Sequence, residues 1–274
     1  MIALTIYEGL AGDRNARAMR GARSLGDALG EALDLVPQHV GTPQPPASGG
    51  WAAQLQIASK GLRDLGAHME DVLNRGGRPL TAMGRCAAAL ATLPPVARRY
   101  GGAAIVWFDA HGDSNVPAPG RSSENAYLGG MVITGAAGLW DSGLGGDVNL
   151  AQVILVGSRD LDPPEWARIE SGEIVLVPPG PGLGARLRDA LGGRAAYVHL
   201  DCDVMEAGLV PTEYQVSGGL SWSELSDACA LLAEHEIVGL EIAEFEGEWP
   251  DGRQDDGARI LSAVAPLLRK LAQA

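Results

Sequence analysis

AAIVWFDAHGDSN, residues 103–115, runs from a wholly apolar stretch straight into two aspartates, a histidine and an asparagine. Residues 103–108 are apolar at every position, which suits a strand of a parallel sheet covered on both faces. The polar cluster begins where that strand should end. Moving outward, similar apolar runs close on polar or glycine-rich residues at 3–8, 80–84, 153–158, 173–178, 195–201 and 237–243. Between them, residues 16–36, 54–74, 186–192, 222–235 and 258–273 place apolar side chains at three- and four-residue spacing, the helical period. Ser221 and Glu224 have the spacing of a capping box. Strand alternating with helix throughout predicts an α/β fold. We expect three layers, a mostly parallel sheet with helices on both faces, in a single domain spanning 1–274. The Pro-, Gly- and Ser-rich segment 36–50 reads as a loop.

Composition narrows the partners. The chain of 274 residues carries 34 acidic against 21 basic side chains, a net charge of −13. That balance argues against nucleic acid or an anionic membrane surface. No apolar run reaches the roughly 18 residues of a membrane span. The opening MIALTIYEGL reads as a first strand, not a targeting segment. Three cysteines, Cys86, Cys202 and Cys229, are too few for a disulfide framework in a chain of this length. A cytoplasmic protein acting on a small molecule is the expectation.

In extended backbone, residues i, i+2 and i+4 face one way. Asp109, His111 and Asp113 therefore converge if strand geometry continues past Phe108. Asp201 and Asp203, in YVHLDCDVME (197–206), repeat the spacing. Parallel sheets bind ligands beyond the carboxyl ends of their strands, so the two clusters can meet. Four carboxylates and an imidazole at short range repel one another unless cations lie between them. Either motif alone could simply cap the segment after it. Two with matched spacing point to a metal centre. His199 shares a strand face with Asp201 and either supports the metal ligands or is a satisfied core histidine. Cys202 should turn into the sheet packing, Cys229 into the core, and Glu206 should brace its own loop. His39, His68 and His235 read as surface residues.

Asp-Ala-His-Gly-Asp-Ser-Asn (109–115) and Asp-Cys-Asp (201–203) resemble the two central metal motifs of the arginase and agmatinase family. The resemblance runs from the first strand to Glu244 and the last helix. It implies two manganese ions that activate a water to attack a guanidino carbon, a role suited to hard, oxygen-rich ligands. It further implies that Asp109 and Asp201 bridge the ions. Asp113, also catalytic, would serve one ion, and His111 with Asp203 the other. Asn115 and Asn125 would bind the substrate. So would Asp162, in SRDLDPPE (158–165), whose alternative is a helix N-cap. Glu244, in LEIAEFE (240–246), would face the guanidinium group, or else be a solvated strand end. A homo-oligomer is implied as well.

Two departures bear on the substrate. The family's first metal motif, Gly-Gly-Asp-His-Ser, has competing counterparts in NRGGRP (74–79) and in LTAMGRCAA (80–88). The second keeps strand, glycine and helix in register, and it puts Arg85 in place of the aspartate and Cys86 in place of the metal-binding histidine. A thiolate is a soft match for manganese; the other reading of Cys86 is a small buried residue opening a helix. In RSSENAYLGGMV (121–132), Gly129 or Leu128 stands where arginases carry a proton-shuttling histidine. A missing general acid should slow expulsion of an alkyl amine. Both departures resemble the branch of the family that hydrolyses Nω-hydroxy-L-arginine to hydroxyurea and L-ornithine in antibiotic biosynthesis. Arginine or another guanidino or formimino amino acid is the nearer rival. A weakly metallated, non-catalytic relative is the more distant one.

Overall fold

The computed structural model describes residues 1–46, 48–117 and 127–273; Asn125 lies outside them. The strands are β1 (Ile2–Tyr7), β2 (Gln38–Val40), β3 (Arg78–Met83), β4 (Ala104–Phe108), β5 (Val153–Val156), β6 (Val175–Val177), β7 (Ala196–Asp201) and β8 (Ile237–Ala243). They form one eight-stranded sheet in the order β2-β1-β3-β8-β7-β4-β5-β6. Every pairing is parallel, so the sheet is more uniform than the sequence predicted. The helices are α1 (Arg17–Leu33), α2 (Trp51–Asn74), α3 (Ala89–Arg99), α4 (Val132–Ala136), α5 (Pro163–Glu170), α6 (Leu183–Leu191), α7 (Trp222–Leu232) and α8 (Ala258–Ala272).

Strand alternation divides the interior into two cores. On β4, Ala104, Val106 and Phe108 face a core shared with Leu25 and Leu29 of α1, Leu187 of α6, Leu232 of α7 and Leu267 of α8. Ile105 and Trp107 face the opposite core, with Leu62 and Leu65 of α2, Leu90 and Leu93 of α3 and Ile133 of α4. These are the expected three layers. Both faces of β4 are fully covered, which explains its unbroken apolar run.

Two local expectations are corrected. Segment 36–50 is not all loop, because Gln38–Val40 adds β2 to the sheet edge beside β1. His68 is half-buried and not a plain surface group, its Nε2 meeting Thr5 Oγ1 at 2.9 Å. Other expectations agree with the structure. Cys202 and Cys229 are buried among apolar side chains. Ser221 Oγ accepts from Glu224 N at 3.3 Å while the Glu224 carboxylate accepts from Ser221 N at 2.9 Å, the reciprocal pair of a capping box. Glu206 Oε2 accepts from Gly218 N and Gly219 N at 2.7 and 2.8 Å, closing its own loop.

Candidate metal centre and substrate pocket

Four neighbouring strands, β3-β8-β7-β4, deliver the polar residues. Because all run the same way, their carboxyl ends open on one side of the sheet. Cys86 follows β3, Glu244 follows β8, Asp201 ends β7 with Asp203 just beyond, and Asp109 follows β4. This resolves the competing counterparts of the first metal motif. Gly76 and Gly77 lie in the turn before β3, at the other end of the strands, whereas Cys86 reaches the cluster.

The first motif converges by a turn, not by continued strand geometry as the sequence suggested. β4 stops at Phe108. Asp109 Oδ1 accepts from His111 N at 2.6 Å and meets His111 Nδ1 at 3.1 Å. Asp113 then takes a left-handed backbone at φ 42°, and Glu244 takes one at φ 64°. Such backbone is strained for residues with a Cβ and tends to persist at functional sites. Trp107 braces the cluster from below. Its Nε1 donates to Asp109 Oδ2 at 2.9 Å, and its ring stacks on His199 with centroids 3.5 Å apart. Asp203 Oδ2 meets His111 Nδ1 at 3.1 Å, and its Oδ1 accepts from Ala110 N at 3.0 Å.

Three overlapping groups of donor atoms lie within 4.8 Å of one another: Asp109–His111–Asp203, Cys86–Asp109–Asp113 and Cys86–Asp201–Glu244. Asp109 and Cys86 each belong to two of them, and Asp201 to one. The electrostatics agree with a cation site. Burial, then Asp109 and other neighbours, push the Asp113 carboxyl well above its ordinary range; burial, then Asp203 and Asp109, do the same to Asp201. Burial and Asp109 raise Asp203 too. Burial also opposes ionisation of Asp109, but hydrogen bonds from His111 and Trp107 prevail and hold it below the usual range. These carboxyls can all ionise together only with positive charge among them. Carboxylates with one imidazole suit hard divalent cations, and the Cys86 sulfur is the soft member of the set. The donors therefore fit two cations.

Cys86 Sγ donates to Asp201 Oδ2 at 3.0 Å and lies 3.1 Å from His199 Nε2. His199 Nδ1 meets Glu241 Oε1 at 2.7 Å, and Glu241 Oε2 accepts from Tyr197 and Thr92 hydroxyls at 2.6 and 2.7 Å. His199 is thus both a satisfied core histidine and a neighbour of a candidate ligand.

The cluster forms one wall of a pocket of about 230 Å³. Asn115 and Asp162 line the same pocket, and Asn115 Nδ2 donates to Asp162 Oδ2 at 2.9 Å. Asp162 is also the N-cap of α5, where the Glu165 carboxylate accepts from its backbone N at 2.9 Å. Asp162 thus takes the N-cap position that the sequence offered as its alternative, while also lining the pocket. Glu165 was missed in the sequence. Nearly buried, its Oε1 also accepts from Ser114 N at 2.9 Å, and a Cβ on Gly112 would come within 2.7 Å of that oxygen. Arg159 was missed as well: it donates to the carbonyls of Asp203, Val204, Met205 and Val216, fastening the loop that carries Tyr214 to the pocket.

At Gly129, one of the two positions offered for the absent histidine, a Cβ would lie 2.4 Å from the Tyr127 ring, so a side chain there would require the ring to move. The Tyr127 hydroxyl lines the pocket buried and without a hydrogen-bond partner among the described residues. Glu244, expected to face the guanidinium group or else to be a solvated strand end, is buried and already engaged. Its Oε2 accepts from Arg85 Nη1 at 2.6 Å and its Oε1 from Cys86 N at 3.0 Å. Burial raises Glu244 to about 7 even with Arg85 opposing.

Residues 47–255 match the Arginase family. The chain is 33% identical, over 97% of both chains, to the N(omega)-hydroxy-L-arginine amidinohydrolase of Streptomyces lavendulae. It is 30% identical to the arginase of Bacillus caldovelox, covering 67% of this chain and 66% of that one. The crystal structure of arginase from Bacillus subtilis superposes with a TM-score of 0.79 over 98% of both chains at 21% identity, a likeness of fold. With the motif spacing and the site at the strand ends, these matches are decisive: the chain belongs to the arginase family and is a hydrolase of guanidino carbon–nitrogen bonds.

Proposed function

We propose that the chain hydrolyses Nω-hydroxy-L-arginine to hydroxyurea and L-ornithine with two manganese ions. The observation that carries this reading is the pocket itself. A carboxylate cluster and the hydrogen-bonded Asn115–Asp162 pair line one and the same pocket. A side chain at Gly129, one of the two positions offered for a shuttling histidine, would require the Tyr127 ring to move. A relative that is 33% identical over nearly its whole length bears the name of that activity.

Asp109 and Asp201 would be shared between the ions, with Asp113 and Cys86 completing one set and His111 and Asp203 the other. When bound, the paired cations lower the pKa of water and stabilise developing negative charge. Asp113 would receive the proton of the attacking water and carry it toward the departing ornithine nitrogen. Asn115 and Asp162 would hold the carboxylate and α-amino groups, fixing the guanidino carbon near the cluster. Tyr127 Oη, without a partner among the described residues, would hydrogen-bond the substrate's polar head. A less basic hydroxyguanidino group eases the demand for a general acid that Gly129 leaves unmet. Soluble action on a small amino acid and self-association complete the proposal.

The test is turnover of Nω-hydroxy-L-arginine and L-arginine side by side, with manganese, measured as ornithine released. A clear excess on the hydroxylated substrate is expected. Equal or greater turnover of arginine would overturn the choice of substrate, and silence on both would overturn the reaction.

A further inference from the structure

Arg85 stands where sequence comparison put the family's aspartate, and its side chain is fully buried. It does not line the pocket. It lies behind Glu244, gripping it at 2.6 Å, and also pairs with Glu213 at 2.6 Å, Glu246 at 3.3 Å and Asp13 at 3.4 Å. Arg17 Nε binds Glu246 from the other side at 2.7 Å, and Asn15 donates to both Glu246 and Glu213. Two guanidinium groups, Arg85 and Arg17, thus serve the four acids of this cage, and Arg85 is the one that holds Glu244. Both oxygens of Glu244 are used, one by Arg85 Nη1 and one by the Cys86 amide.

We propose that Arg85 is a specificity-determining residue: its fixed charge neutralises Glu244 from behind, so that the guanidino seat accepts a neutral head and disfavours a cationic one. This rests on the function proposed above and deepens it. A carboxylate free of a partner would attract a protonated guanidinium. Here a second guanidinium would have to approach a carboxylate that already holds one, in a buried site where screening is weak. A hydroxyguanidine, which gives up its proton more readily, avoids that repulsion and can still donate hydrogen bonds to Glu244.

The experiment uses the manganese-loaded protein and two readouts. One is the ratio of kcat/KM for Nω-hydroxy-L-arginine over L-arginine. The other is calorimetric binding of L-citrulline, a neutral head, against L-lysine, a cationic one; neither has a guanidino carbon to hydrolyse. Arg85→Gln keeps donors but removes the charge, and should cut both neutral-over-cation ratios by about tenfold, while Arg85→Lys should retain them. Glu213 is partly exposed, so Glu213→Gln should fold even if Arg85→Gln does not. It leaves the Arg85 charge less answered and should raise the ratios. Binding ratios indifferent to these substitutions in folded protein overturn the inference, even if hydroxyarginine is turned over. Binding ratios that move as stated, with neither substrate hydrolysed, uphold the role of Arg85 and overturn the proposed reaction.

Discussion

Two acidic clusters lie side by side at the strand ends and solve the same problem in opposite ways. Around Arg85, the carboxylates of Asp13, Glu213, Glu244 and Glu246 converge on a cation that belongs to the chain. Around Asp109, the carboxylates of Asp113, Asp201 and Asp203 have among them one imidazole, His111, and one thiol, Cys86. The first cluster carries its own cation, fully buried. The second is stable in its ionised form only with charge brought from outside. A buried acid is thus informative through its partners: an internal guanidinium makes a structural knot, and its absence makes a cation site.

The contrast can be broken most severely at Asp109, whose carboxylate is shared by two donor groups. Asp109→Asn should lower kcat/KM with manganese by on the order of a thousandfold, the loss of several kcal/mol of charge stabilisation, while urea unfolding shows a folded protein. The mirror-image change, Arg85→Met, leaves four carboxylates facing one another. It should destabilise the fold by about 3–5 kcal/mol in urea whether or not manganese is present. A smaller effect is expected beneath the metal cluster. Trp107→Phe removes the donor to Asp109 Oδ2 and should weaken manganese binding by about 10–100-fold, read by titration.

The gentlest test varies pH. Burial raises Glu244 from 4.5 to about 7, and it raises Asp113, Asp201 and Asp203 as well. The folded, metal-free protein therefore holds protons that the unfolded chain has released. Its stability should fall as pH rises from 4.5 to about 7. Manganese should flatten or reverse that decline in urea unfolding at successive pH values, because ligand binding stabilises the folded state and replaces the protons. A metal-free protein that gains stability across this window would mean that burial does not hold these carboxyls protonated.

Much of this was legible in the chain. The unbroken apolar run at 103–108 and its counterparts located the strands, since a strand covered on both faces has no choice but to be apolar throughout. Asp109, His111, Asp113, Asp201 and Asp203 stood out because local spacing and strand ends determine where such groups emerge. β2 was hidden: three residues on a sheet edge, with two exposed, carry little hydrophobic signal. The turn that gathers Asp109 and His111 was also misread as strand, because the decisive hydrogen bond is made by a side chain to its own nearby backbone.

The sequence by itself determined the alternation of strand and helix, the polar residues at the strand ends and the chemistry those residues can perform, all of which follow from short-range pattern. Tertiary structure decided what Arg85 and Glu244 do. Their side chains meet across 159 residues of chain, Glu165 reaches Ser114 across 51, and Tyr127 fills the space that a side chain at Gly129 would need. Charge neutralisation and space filling act through distance in the folded molecule, and separation along the chain carries no record of that distance.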